Sequence, residues 1–149
     1  MSDEAFELAV KALGRRERSI AELTRWLTER GVGAEEVEDV VARLEELGEL
    51  DDARFARRYA EDKRELAGWG AERIRATLLE RGVPPEYIEA SLAADAAPES
   101  ERAAALLVRR GQALRSEADR GRALGYLNRK GYTYEVAHEA IRAVERESE

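Results

Sequence analysis

The residues able to do chemistry are few in this chain, and most have a simpler use. His138 is the single histidine and there is no cysteine, which removes thiolate and multi-histidine metal sites. His138 lies between Ala137 and Glu139, off the stripe formed by Val136, Ala140 and Ile141, so it reads as a solvated helix residue rather than a general base. Asp51-Asp52 could pair as acid and base, but two carboxylates ahead of an apolar helical pattern suit a helix N-terminus. Gly68-Trp69-Gly70 looks superficially like a phosphate loop, yet it lacks the G-x-x-x-x-G-K-[ST] pattern and a preceding strand, and reads as a connector. No catalytic residue, metal site or cofactor is expected, and the chain is read as a non-enzyme.

The chemistry that does stand out is binding. Of the 25 basic residues 22 are arginine, whose planar fork suits carboxylates and phosphates. At 100° per residue, Arg54, Arg57, Arg58 and Arg64 share one broad helix face. Phe55 and Tyr59 point away, Lys63 falls outside it, and Glu61 and Glu65 share it as ion-pair partners. A second group is tighter: Arg122, Tyr126, Arg129 and Lys130 lie on one side of a helix, with Leu124 and Leu127 on the other. An exposed aromatic among bases stacks on a nucleobase or packs against a protein partner. These eight residues are the candidate contacts. Trp26 and Trp69 read as packing residues.

The elements that must position these faces repeat three times. Aligned on Gly31, Gly82 and Gly131, separated by 51 and 49 residues, the chain shows Leu27, Leu78 and Leu127 four positions before each glycine. Arg30, Arg81 and Lys130 stand one before, and Glu35, Glu86 and Glu135 four after. Val41, Leu92 and Ile141 stand ten after. The reading is an amphipathic helix, a glycine turn that closes it, and a second helix with an acid in its first turn. Ser19-Ile20-Ala21-Glu22 is a capping box, Pro85 opens a helix, and Thr133 caps one. A further helix precedes each pair. In the first, Phe6, Ala9, Val10 and Leu13 form the stripe and Gly14 ends it; the third helix is expected to bury Val37, Val40, Val41, Leu44 and Leu47, and Gly48 stops it. Phe55, Tyr59 and Leu66 mark the inner face of the helix that follows. No segment alternates with period two, so no strand is expected.

The expected architecture is therefore all-α: three tandem three-helix repeats over residues 1–48, 49–97 and 98–149, in an elongated, curved arrangement. Each unit of about fifty residues is near the lower limit for folding alone, so neighbours must lean on one another. Ala93–Ser100 reads as a short hinge. The repeats carry 7 bases against 12 acids, 8 against 11, and 10 against 9, for a chain net charge of −7. That balance does not announce a nucleic-acid binder. No apolar run approaches the ~20 residues of a membrane span, and the acidic N-terminus lacks a secretion signal. A soluble, cytoplasmic monomer is expected.

With these residues in view, the chain resembles the RecX family, bacterial regulators of the RecA recombinase. The segment GELDDARFARRYAEDKRELAGWGAERIRATLLERGV, residues 48–83, is similar to the family's central pattern: an L-D-D start, an F-A pair, a basic helix, a Gly-rich connector, I-R-x-x-L and a closing G-V. RSIAELTRWLTERGV and RALGYLNRKGYTYEVAHEAI resemble its flanking motifs. The resemblance implies a curved helical repeat protein that occupies the groove of the RecA nucleoprotein filament. It implies inhibition of that filament's ATPase, strand-exchange and coprotease activities in homologous recombination, DNA repair and the SOS response. Single-stranded DNA is a second candidate ligand. One departure is the acidic balance, pI ≈ 5.0, where family members often present a strongly basic concave surface. Two other readings stay open on the residues alone: a direct DNA-binding helical repeat protein, and a structural adaptor for another protein.

Overall fold

The computed structural model describes residues 3–94 and 97–148, and every regular element among them is an α-helix. In chain order these are α1 (Asp3–Arg15), α2 (Ile20–Glu29), α3 (Ala34–Glu46), α4 (Asp52–Leu66), α5 (Ala71–Glu80), α6 (Pro85–Ala93), α7 (Glu99–Arg110), α8 (Glu117–Lys130) and α9 (Tyr134–Glu147). The all-α class read from the sequence is the class observed. Residues 95 and 96, within the Ala93–Ser100 stretch read as a hinge, lie outside the described residues.

Local signals act where they stand. Ser19 caps α2 through its hydroxyl while Glu22 reaches back to the Ser19 N–H, a complete capping box. Gly31, Gly82 and Gly131 all hold positive φ, at 85°, 80° and 104°, the left-handed turn that closes a helix. The leucine four positions before each, Leu27, Leu78 and Leu127, is fully buried; each such burial stabilises by roughly 2 kcal/mol. Thr133 caps α9 through the Val136 N–H, and Pro85 opens α6.

The stripes differ from the sequence reading in places. Helix α1 buries Ala5, Ala9 and Ala12, while Val10 is exposed and Gly14 lies inside the helix rather than ending it. Alanines at i, i+4 and i+7 line one face and let neighbouring helices approach closely. Leu47 and Leu66, read as inward, are exposed at 58% and 84%. Leu47 is the C-cap of α3 and Leu66 the last residue of α4, where the backbone leaves the helix.

The chain divides into two compact units. One comprises residues 1–58 and 78–91, the other 59–77 and 92–149. The first has a core of Ala9, Leu23, Leu27, Val40 and Leu44. The second is built around Leu107, Leu127, Ala140 and Ile141. Helices α4, α5 and α6 contribute residues to both units.

Each unit holds one joint of the same design. In the first, the glycine turn after α5 seats on the N-terminus of α2. The Ser19 hydroxyl donates to the Arg81 carbonyl at 2.6 Å, and the Arg81 guanidinium forks onto Glu22 at 3.0 and 3.1 Å. A side chain at Gly82 would collide with Ala21. Asp52, the first residue of α4, completes the cap by accepting the Ile20 N–H at 2.9 Å. In the second unit, the turn after α8 seats on the N-terminus of α5. The Gly70 and Glu72 N–H groups donate to the Lys130 and Gly131 carbonyls at 2.8 and 3.1 Å. A side chain at Gly131 would strike Arg73. Glu99, the first residue of α7, accepts the Ala71 N–H at 2.6 Å. In the second joint, first-turn N–H groups of one helix thus meet last-turn carbonyls of another, which satisfies both; in the first, the Ser19 hydroxyl is the donor to the turn.

Candidate functional site

The eight candidate residues divide by what holds them. In the first unit, Arg54 is half-buried and donates to the Gly48 carbonyl at 2.8 Å, sealing the end of α3. Arg58 pairs with Glu17 at 3.2 Å, with both side chains substantially exposed, a contact worth well under ~1 kcal/mol in solvent. Arg57 is exposed and makes no ion pair among the described residues. Arg54 and Arg58 border a cleft of about 510 Å³ floored by Phe6, Val10, Leu13 and Leu44 and also rimmed by Glu17, Arg18 and Asp51.

In the second unit, Arg64 reaches the Leu92 carbonyl at 2.9 Å and the Lys130 ammonium donates to the Ala67 carbonyl at 2.9 Å. Both cations therefore hold the fold together. Arg122 is exposed and pairs with Asp119. The Asp119 carboxyl sits below the usual carboxylate range, first because it accepts the Arg115 N–H and then because of Arg122. Tyr126 is half-buried, with the Arg110 guanidinium 3.9 Å from its ring centre and Lys130 at 5.8 Å. One face of that ring is already covered by a cation. Arg129 is exposed; its carbonyl accepts from Arg73 at 3.0 Å. Arg57, Arg58, Arg122 and Arg129 are thus the four exposed candidates.

The aromatic residues read as packing have a more specific use. Trp26 lies under Arg30 at 3.6 Å and near Arg18 at 5.3 Å. Trp69 lies under Arg73 at 4.0 Å and near Lys63 at 4.7 Å, with Tyr59 edge-on. Such stacking holds a guanidinium in a fixed plane. Arg15, Arg16 and Arg30 lie near enough to Arg18 for their charges to act on it. Burial, and repulsion from the other three, hold the Arg18 guanidinium below its ordinary range. This basic cluster was not among the candidates. Its signal is the R-R-E-R run at 15–18, overlooked because repeat 1 is acidic in sum.

His138 is half-buried rather than solvated: its ring stacks on Tyr134 at 4.2 Å. Its Nε2 is buried with no hydrogen-bond partner. Among the described residues no group of three His, Cys, Asp or Glu is placed to hold a metal ion, and no helix is long and apolar enough to cross a membrane.

Comparison with known proteins bears on what these surfaces serve. Residues 5–44 match the first three-helix domain of RecX, and residues 51–92 match the second. The chain belongs to the RecX family. The regulatory protein RecX of Thermus thermophilus is 37% identical over 149 residues, covering 100% of this chain and 98% of that one. That of Deinococcus radiodurans is 41% identical over 138 residues, covering 91% and 66%. The crystal structure of RecX from Lactobacillus salivarius superposes with a TM-score of 0.83 at 16% identity, covering 96% of each chain. The fold of this RecX-family chain is therefore the fold of that structure. Asp52, inside the L-D-D stretch that carries the resemblance, gains a physical role as the long-range cap of α2.

Proposed function

We propose that this RecX-family chain is an inhibitory regulator that binds the RecA–DNA filament and lowers its ATPase, strand-exchange and coprotease activities. The observation that carries the reading is similarity along 100% of the chain to a protein named regulatory protein RecX. The residues add a physical rationale. Exposed arginines occur in both compact units: Arg57 and Arg58 in one, Arg122 and Arg129 in the other. Modest contacts made by linked modules reinforce one another through effective concentration. A polymer of identical subunits offers such modules repeated sites, and charge complementarity orients them. In this reading the three repeats, 1–48, 49–97 and 98–149, are the contacting modules, and the protein is a cytoplasmic monomer that performs no covalent step.

The test is co-sedimentation with preassembled recombinase filaments, paired with filament ATPase. Wild-type chain should pellet with filaments and inhibit. Arg57/Arg58→Glu and, separately, Arg122/Arg129→Glu should each weaken inhibition at least tenfold while keeping the helical spectrum. Unchanged inhibition by both folded variants would show the surface to be wrongly assigned. Failure of wild-type chain to pellet would sink the function itself.

A second reading, direct binding of single-stranded DNA, is favoured by Arg18 and Arg30 over the Trp26 ring, with the charges of Arg15 and Arg16 beside Arg18. It requires binding to bare DNA with steep salt dependence, and Arg15/Arg16→Glu is the variant that would abolish it.

A further inference from the structure

The cleft of the first unit combines a large apolar floor with hydrogen-bond donors that nothing in the chain uses. Phe6, Val10 and Leu13 of α1, with Leu44 and Leu47 at the end of α3, form the floor. Val10 and Leu47 stand 45% and 58% exposed, so apolar surface remains to be removed from water. Other hollows lack this combination. One of about 720 Å³ beside the end of α9 has Leu114 and Val144 as its large apolar lining. Its arginine, Arg115, donates its N–H to Asp119 within the Ser116 cap of α8. Another, of about 520 Å³, is lined by α9 alone.

The charges around the floor do not cancel once each is traced to its partner. Among the acids, Glu17 is held by Arg58 at 3.2 Å, and Asp51 accepts the Arg54 N–H at 3.0 Å as part of the α4 helix start. Glu49 is the remaining acid of the lining. Among the cations, Arg54 has no carboxylate partner within the described residues. Its Nη1 serves the Gly48 carbonyl, and its Nε is buried with no hydrogen-bond partner. Arg18 gives its Nε to the Ala12 carbonyl and is crowded by the like charges of Arg16, Arg30 and Arg15. The Arg58–Glu17 pair is 61% and 45% exposed, so a better-placed carboxylate displaces Glu17 at little cost.

We infer that this cleft binds an acidic, leucine-bearing segment of a partner protein, its apolar side chains on Val10, Leu13 and Leu47 and a carboxylate on Arg58 in place of Glu17. The cation surplus selects the acid and the aliphatic floor selects the leucine. A phosphodiester strand matches poorly, because the one aromatic ring of the lining, Phe6, already has the Arg43 guanidinium 4.0 Å from its centre and offers no open stacking platform. A small molecule also matches poorly. Such sites bury most of their ligand, whereas Val10 and Leu47 leave this floor half open. A peptide segment needs no enclosure: apolar anchors in a groove with charges at its rim suffice. The inference stands on the cleft alone and does not depend on the partner proposed above.

The probe is a short capped synthetic peptide with two leucines one helical turn apart and glutamates beside them. It is titrated, without filaments, against the full chain carrying methyl labels for NMR. Saturable shifts are expected at the methyl groups of Val10, Leu13 and Leu47. A copy with lysine for each glutamate should bind at least tenfold more weakly. Leu47→Glu, at an exposed position, should keep the helical spectrum and weaken binding at least tenfold; Arg58→Glu should weaken it at least fivefold. Glu17→Gln frees Arg58 and should tighten binding about threefold, which simple apolar adhesion would not do. An absence of saturable shifts, equal binding of the lysine copy, or binding unchanged in Leu47→Glu would overturn the inference. So would methyl shifts that arise with protein concentration alone and vanish in Leu47→Glu, since they would make a second copy of this chain the occupant.

Discussion

The two internal joints solve one problem with different chemistry. In the first unit, side chains meet the helix start: Ser19, Glu22 and Asp52 are the polar partners, and the Arg81–Glu22 fork is 24% and 21% exposed. In the second, main chain meets main chain. Gly70 and Glu72 donate directly to carbonyls, and Gly70 is needed because an added carbon would lie 2.5 Å from the Gly131 oxygen. Geometry is kept while the contact to the turn moves from side chains to backbone, with a carboxylate, Glu99, still capping the second helix start. Both glycine seats exclude added volume, Gly82 against Ala21 and Gly131 against Arg73, while charge matters most at the first joint, where the Arg81–Glu22 fork joins the two helices.

The largest effect belongs to the second joint. Gly131→Ala combines left-handed strain with a collision against Arg73, so a loss of roughly 2–5 kcal/mol is expected, measured by denaturant unfolding. Gly31→Ala meets the strain alone and should lose only about 1–2 kcal/mol. Equal losses would show that close approach at Gly131 contributes nothing. Next comes Arg81→Ala, which strips a half-buried carboxylate of its partner and uncovers Phe55, whose ring lies 4.7 Å from the guanidinium. A loss of roughly 1–3 kcal/mol is expected, and a double-mutant cycle with Glu22→Gln should show coupling.

The pH response of the first joint has two opposed parts. Burial raises the Glu22 pKa, but the hydrogen bonds from Arg81 and the Ser19 N–H outweigh it and leave the carboxyl below its usual 4.5. Its contribution to stability is complete above that value and is lost as pH falls through the lowered folded value. Asp52 runs the other way. Burial raises it above 3.8, only partly offset by the Ile20 N–H, so it disfavours the fold as pH rises through that window. Glu22→Gln should flatten the loss of stability below pH 4.5, and Asp52→Asn should steepen it, as followed by urea midpoints from pH 3 to 7. The smallest effect is Asp52→Asn at pH 7. The amide keeps an acceptor for Ile20 without a buried charge, so stability should change by less than about 0.5 kcal/mol, whereas Asp52→Ala should lose about 1 kcal/mol. Similar losses for both would contradict the capping role.

Much of this was legible in the sequence, for local reasons. Ser19 and Glu22 are three residues apart, so their capping box is readable without a fold, as are the left-handed glycines and the buried Leu27, Leu78 and Leu127. The joints were not readable. Asp52 caps a residue 32 positions earlier, and Arg81 grips an acid 59 positions earlier; nothing in helical periodicity fixes such pairings. The same limit applies to the arginine faces. A helical wheel put Arg54, Arg57, Arg58 and Arg64 together, but Arg54 and Arg64 are held by the Gly48 and Leu92 carbonyls, which lie outside α4 and so outside the wheel. The basic cluster at Trp26 escaped because a net charge over 48 residues hides two arginines over one ring and two more beside Arg18.

The docking of helix starts by glycine turns is tested most directly by amide hydrogen exchange at three first turns. First-turn amides have no intrahelical acceptor and ordinarily exchange fast. Ile20 of α2 and Gly70, Ala71 and Glu72 at the start of α5 should be protected nearly as well as core amides, while Glu117 and Ala118 at the self-capped start of α8 should exchange rapidly. Fast exchange at all three starts would contradict the account.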